Sequence, residues 1–144
     1  MASLIQWALK TVLPSSATVG FEDVLHTLKN PDGYVLVNTL ATTNQSVLIK
    51  GTLTTLEEES FVNEYLTKYV EKPKTIVLYG LNTCDTTAQE KRTQLLSLGI
   101  SDVVVYAGGL FEWLLLQDIY GMNEFPTTSK AADLLAYRPR RKIA

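Results

Sequence analysis

Three short apolar runs stand out along the chain: YVLV (34–37), TIVLY (75–79) and DVVVY (102–106). None alternates apolar with polar positions. Each is rich in β-branched side chains and adjoins a polar turn. Strands covered on both faces have this pattern, which is typical of a parallel sheet held between helices. Two shorter stretches extend it. SVLIK (46–50) reads as an edge strand or an extended connection, and SATVG (16–20) as another short edge.

The segments between these runs carry helical spacing. FEDVLHTLKN (21–30) places Phe21, Val24, Leu25 and Leu28 on one face and closes on the turn NPDG. TLEEESFVNEYLTKYV (55–70) opens with a capping box of Thr55 and Glu58, with further acidic residues where the helix dipole favours them. Its apolar stripe is Phe61, Val62, Tyr65, Leu66, Tyr69 and Val70. TTAQEKRTQLLSLG (86–99) ends on Gly99, a good C-terminal stop. GLFEWLLLQDIYG (109–121) is apolar almost all round, and PTTSKAADLLAYRP (126–139) is expected to form a last helix between two prolines. Near the start, Leu4, Ile5, Ala8 and Val12 recur at helical spacing. Residues 1–14 are therefore expected as a short helix, packed on the domain or docking as an arm on a partner or a membrane surface. Regular alternation of helix and strand argues for a three-layer α/β domain with a mainly parallel sheet.

Composition narrows the picture. A chain of 144 residues, 46% apolar, suits one domain with a real core. Thirteen Lys and Arg stand against 15 Asp and Glu, so nothing global draws the chain to nucleic acid or anionic membrane. The basic tail RPRRKIA is short and reads as solvated. One cysteine and one histidine exclude an internal disulfide framework and a conventional structural zinc site, and favour a reducing compartment. No apolar run reaches the roughly 18–20 residues needed to span a bilayer. MASLIQWALKTVLP has no basic residue before its apolar part and is interrupted by Gln6 and Lys10, so it reads as mature sequence. An intracellular, cytoplasmic protein that needs no cofactor is the expectation.

In sheets of this kind, ligands gather at the carboxyl ends of the strands. That directs attention to the loop after Tyr79, made of Gly80, Leu81, Asn82, Thr83, Cys84, Asp85 and Thr86. Asp85, Thr86 and Thr87 can each cap the helix that follows, whose first N–H groups would make an anion site. Cys84, the chain's only thiol, lies beside Asp85, whose carboxylate competes for the same donors. Elsewhere, His26 reads as an ordinary, partly exposed histidine, Glu57–Glu59 as a helix start, and Lys91 and Arg92 as a solvated face. From Leu110 to Tyr120 there are too many apolar residues for one stripe. Some must be covered by a terminal helix or by another protein, and Phe111, Leu115 and Tyr120 are the candidate contact residues.

The series TIVLYG, a loop, LLSLGISDVVVYAGG and then EW resembles the second half of a rhodanese-like domain. The pair Gly108–Gly109 followed by Trp113 is its most specific part. YVLVNTL stands where that family has a strand ending in an Asp–x–Arg turn, and LIKGTL resembles its Ile–Pro–Gly–Ala segment. The resemblance covers roughly residues 15–125. It leaves 1–14 as an N-terminal helix and 126–144 as a C-terminal helix and basic tail. The form GGLFEWLLLQDIYG…EFPTTS also resembles a subgroup associated with protists and large DNA viruses, which implies a host cytoplasm or a virion. The resemblance implies a small, mainly parallel sheet with helices on both faces. It also implies a chemistry: active members hold a cysteine as the first loop residue, cradled by backbone N–H groups, where it carries sulfur as a persulfide. Related phosphatases place an arginine six positions later.

This chain departs from that pattern. Gly80 stands at the cysteine position, and Asn38 and Leu40 replace the charged pair of the upstream turn. Six positions after Gly80 is Thr86, and six after Cys84 is Glu90. Two functions follow. The first is a catalytically inactive binding, regulatory or structural module that acts through a protein partner or a homo-oligomer. The second is a divergent sulfurtransferase using Cys84.

Overall fold

The three apolar runs are neighbouring parallel strands in the computed structural model, which describes residues 17–69 and 71–143. Strands β1 (Thr18–Val19), β2 (Tyr34–Asn38), β3 (Thr75–Tyr79) and β4 (Val103–Tyr106) form one parallel sheet in the order β1-β4-β3-β2. The helices are α1 (Phe21–Lys29), α2 (Thr55–Thr67), α3 (Thr87–Ser97) and α4 (Gly109–Tyr120). The expected short edge at 16–20 is β1. Residues 46–50 prove to be an extended connection, with only Ile49 bridged, antiparallel to Thr127. The expected N-terminal helix and Val70 lie outside the described residues.

Strand alternation sorts the core into two faces. Leu36, Val77, Tyr79 and Tyr106 point toward a cluster with Val24, Leu110, Trp113, Leu114 and Phe125. Val35, Val37, Ile76, Leu78, Val103 and Val105 point the other way, onto Ala88, Leu95 and Ile100. Burial of each such aliphatic side chain stabilises the fold by about 1.5–3 kcal/mol, which is why these unbroken apolar runs form the centre. The first face is further locked by aromatic contacts. Trp113 meets Phe125 and Tyr106 edge-on, with ring centroids 5.0 and 6.4 Å apart, and its Nε1–H donates to the Pro126 carbonyl at 3.1 Å.

The second face is shallower. Phe61, Val62 and Tyr65 of α2 pack against its cluster, yet no residue of α2 is fully buried. Leu66 and Tyr69, expected on its apolar stripe, are exposed. The capping box also sits one residue earlier than expected: Thr54 Oγ1 accepts from the Glu57 N–H at 3.2 Å, and Glu57 Oε1 accepts from the Thr54 N–H at 3.1 Å. Both registers offer threonine and glutamate at the right spacing. Glu58, the acid of the other register, is instead paired with Lys91 at 2.8 Å. Lys91 is thus not the free solvated cation that the sequence pattern implied.

The expected helix over 126–139 is corrected to a single 3-10 turn, Leu134–Tyr137. The physical reason lies in PTTS. These residues are drawn into an extended pairing with 46–50, through Thr128 N–H to Leu48 O at 2.8 Å and Lys50 N–H to Pro126 O at 3.1 Å. Asp133 then starts a new turn by accepting from the Leu135 N–H, and Pro139 stops it. Too few residues remain between them for an α-helix.

Candidate functional site

Loop 80–86 leaves the carboxyl end of β3 at the centre of the sheet, and its geometry is set first by α4. The N–H groups of Leu110 and Phe111 donate to the carbonyls of Gly80 and Leu81 at 3.0 and 2.9 Å. Two glycines permit this approach. Gly109 has φ +69°, and a Cβ there would lie 2.9 Å from both Asn82 N and Gly80 O. At Gly108, a Cβ would meet the carboxylate of Glu112. That carboxylate accepts from the Tyr106 hydroxyl at 2.7 Å, and burial followed by this contact pushes the phenol's pKa up. The Gly–Gly pair is therefore explained by backbone docking and by space for an acid.

Inside the loop, the Leu81 and Thr87 N–H groups, which an incoming anion would need, already have an acceptor. Asp85 Oδ2 accepts from the Leu81 N–H at 2.8 Å. Asp85 Oδ1 accepts from the Thr87 N–H at 2.9 Å and the Thr87 hydroxyl at 2.7 Å. Of the three candidate caps, Asp85 is the one whose side chain bonds the start of α3. Partial burial pushes this carboxyl's pKa up, but the N–H donors and the hydroxyl outweigh burial and hold it below its ordinary value.

Gly80 is buried, and a Cβ added there would lie 2.7 Å from Asp85 Oδ2 and 3.3 Å from Thr39 Oγ1. The space that a side chain at position 80 would need is thus filled by a carboxylate. Nearby, Asn38 and Leu40 are buried at the end of β2, with Asn38 Oδ1 accepting from the Leu40 N–H at 3.1 Å. Thr39 Oγ1 lies 2.8 Å from Thr87 Oγ1, tying this neutral turn to the loop.

Cys84 is exposed, with its N–H donating to Asn82 Oδ1 at 3.0 Å. Thr83 and Thr86 are also exposed, Leu81 is half-buried, and Asn82 is buried. Asn82 Nδ2 donates to the Tyr137 carbonyl at 3.0 Å, which pins the end of the 3-10 turn against the loop. The backbone beyond it, read from sequence as a solvated tail, crosses over the loop. A cleft of about 700 Å³ results, lined by Cys84, Asp85, Arg138, Arg140, Arg141 and Lys142 among others. Sequence reasoning missed this. The available signal was the closeness of the apolar anchors Leu134 and Tyr137 to the basic run.

Other candidates fall elsewhere. Arg92 donates through Nε to the Val103 carbonyl at 2.9 Å, away from the loop. His26 is exposed and edge-on to Tyr34. On α4, Phe111 is half-buried, Leu115 is exposed, and Ile119 and Tyr120 are 70% and 63% exposed. Among the described residues, no three His, Cys, Asp or Glu side chains converge as a metal site, and no helix is long and apolar enough to cross a membrane.

No family model matches the chain, and no curated protein does. Solved structures do resemble it. The BH2092 protein from Bacillus halodurans is 18% identical, with a TM-score of 0.57 over 83% of this chain and 82% of that one. A full-length protein from Lactobacillus plantarum is 23% identical, with a TM-score of 0.55 over 81% of this chain and 95% of its own. The Alr3790 protein from Anabaena sp., which contains a rhodanese-like domain, is 18% identical, with a TM-score of 0.54 over 82% and 86%. The parallel sheet, its helices on both faces and this structural likeness together establish a divergent rhodanese-like fold.

Proposed function

We propose that this chain is a catalytically silent rhodanese-like module that acts through protein contacts. One observation carries the reading. The first residue after β3 has no side chain, and the room beside it is taken by Asp85, 2.7 Å from where a Cβ would stand. A persulfide needs a sulfur at that floor and free N–H donors around it. Here there is no sulfur at that floor, and donors of the loop serve Asp85. The exposed apolar end of α4, with Leu115, Ile119 and Tyr120, supports a contact role.

The direct test is treatment with thiosulfate followed by mass spectrometry. No added sulfur is expected on the protein, and no thiocyanate when cyanide is present. A persulfide on Cys84, lost in Cys84→Ser, would overturn the reading. A second reading has one observation in its favour: Cys84 is exposed in a cleft lined with cations, where an anionic sulfur donor would be drawn. Its thiolate would attack the outer sulfur of thiosulfate, forming an S–S bond as sulfite leaves, and cyanide would then remove that sulfur as thiocyanate. Thiocyanate production that depends on Cys84 is the result that would establish it.

A further inference from the structure

Four cations that have no carboxylate partner among the described residues line one concavity. Arg138, Arg140, Arg141 and Lys142 face the same cleft of about 700 Å³ as Asn44 and Cys84. Among the described residues, the ion pairs are Lys68–Glu64 and Lys91–Glu58, and none of the four cations takes part in one. Residues 1–16 contain no Asp or Glu that could serve. The one carboxylate on the cleft wall, Asp85, has both oxygens engaged within the loop. Like charges gathered in one concavity, though screened by water, raise the local concentration of anions.

Hydrogen bonds fix the start of the tail, up to Arg138. Buried Asn82 holds the Tyr137 carbonyl, and Tyr137 packs on the core. Arg138 returns to the Leu135 carbonyl through both its backbone N–H, at 3.2 Å, and its guanidinium, at 2.6 Å. Pro139 then restricts the next φ. The positive field is also local. The chain's net charge is −2, and the cleft between α2 and α3, about 430 Å³, is lined by Glu58, Glu59 and Glu90 against one cation, Lys91, which is paired with Glu58.

We propose that the tail cleft binds a compact polyanion carrying two or more phosphate groups. Arginine forks match phosphate oxygens in pairs, and Lys142 adds a point charge. The volume falls in the range of small-molecule sites, about 300–1,000 Å³. Concave shape and acidic surroundings favour a compact ligand over a nucleic-acid backbone or a membrane, which call for an extended positive surface. This site does not depend on whether Cys84 performs any chemistry.

Tripolyphosphate is the probe, and Cys84, as the sole thiol, is the reporter. Calorimetry at low salt is expected to give one site whose affinity falls as salt is added. Bound tripolyphosphate is expected to slow alkylation of Cys84 by iodoacetamide. Paired Arg140→Glu and Arg141→Glu substitutions should weaken binding by about tenfold or more, since each removes a charge-assisted contact. Circular dichroism would verify that the variant stays folded, with Arg141→Gln and Lys142→Gln as a milder second variant. Absence of tripolyphosphate binding, binding that both variants leave unchanged, or binding that leaves Cys84 alkylation untouched would each overturn the proposal. Binding of single-stranded RNA or phosphatidylserine vesicles without tripolyphosphate binding would replace it with a macromolecular surface.

Discussion

The loop after β3 and the tail that crosses it lie side by side, yet they handle charge in opposite ways. The loop is closed on itself, with N–H groups of Leu81 and Thr87 bonded to the Asp85 carboxylate. The tail presents three arginines and a lysine with no acid between them. Motif position points to the loop as the site, whereas unmet electrostatic demand points to the tail. The difference teaches that a loop in the right place offers an anion fewer donors once an acid of the chain takes some of them. A short basic run becomes a site once the backbone folds it over a concavity.

The largest expected effect comes from breaking what holds the loop in place. Gly109→Val forces a β-branched residue to φ +69° and drives its Cβ toward loop backbone, so chemical denaturation should show a loss of about 3 kcal/mol. Next is Gly80→Cys, whose Cβ would meet Asp85; about 2 kcal/mol should be lost. Adding Asp85→Ala should recover part of that loss, because the two changes share one space, and a double-mutant cycle measures the coupling. Only the double variant should retain sulfur after thiosulfate treatment.

A smaller effect, about 1 kcal/mol at neutral pH, is expected for Asp85→Ala alone, from lost hydrogen bonds at a partly solvated site. Its pH dependence has a definite sign. The folded-state pKa of Asp85 lies below its unfolded value, so this stabilisation is complete above the ordinary carboxylate range. It is lost as pH falls through the depressed folded value. Acid unfolding curves of the parent and Asp85→Ala proteins should therefore converge at low pH. Smallest in stability is the tail: charge reversal at Arg140 and Arg141 should change the unfolding free energy by no more than about 0.5 kcal/mol while changing anion affinity strongly.

The sheet was legible in the sequence because unbroken β-branched runs have few other uses, and YVLV, TIVLY and DVVVY became β2, β3 and β4. Gly99 marked the end of α3 for an equally local reason, with its φ of +93°. What stayed hidden depended on long-range competition. The 126–139 segment has helical composition at its centre, but its first residues pair with 46–50, far away in sequence. In the site, absence of a nucleophile at Gly80 could be read directly. Occupation of its space by Asp85 could not, because that depends on a loop bending back by five residues. The tail's placement depends on Tyr137 packing on the core and on the side-chain amide of Asn82, which no spacing rule announces.

The docking of α4 beneath the loop also sets which way the loop's donors point. A peptide unit is planar and trans, so its carbonyl and the next N–H point in opposite directions. When Leu110 captures the Gly80 carbonyl, the Leu81 N–H is turned to the far side, where Asp85 receives it. The orientation of that donor is thus imposed from behind, by a helix that reaches position 80 only through its backbone carbonyl. Because the frame is held through backbone groups alone, it tolerates a residue without a side chain at position 80.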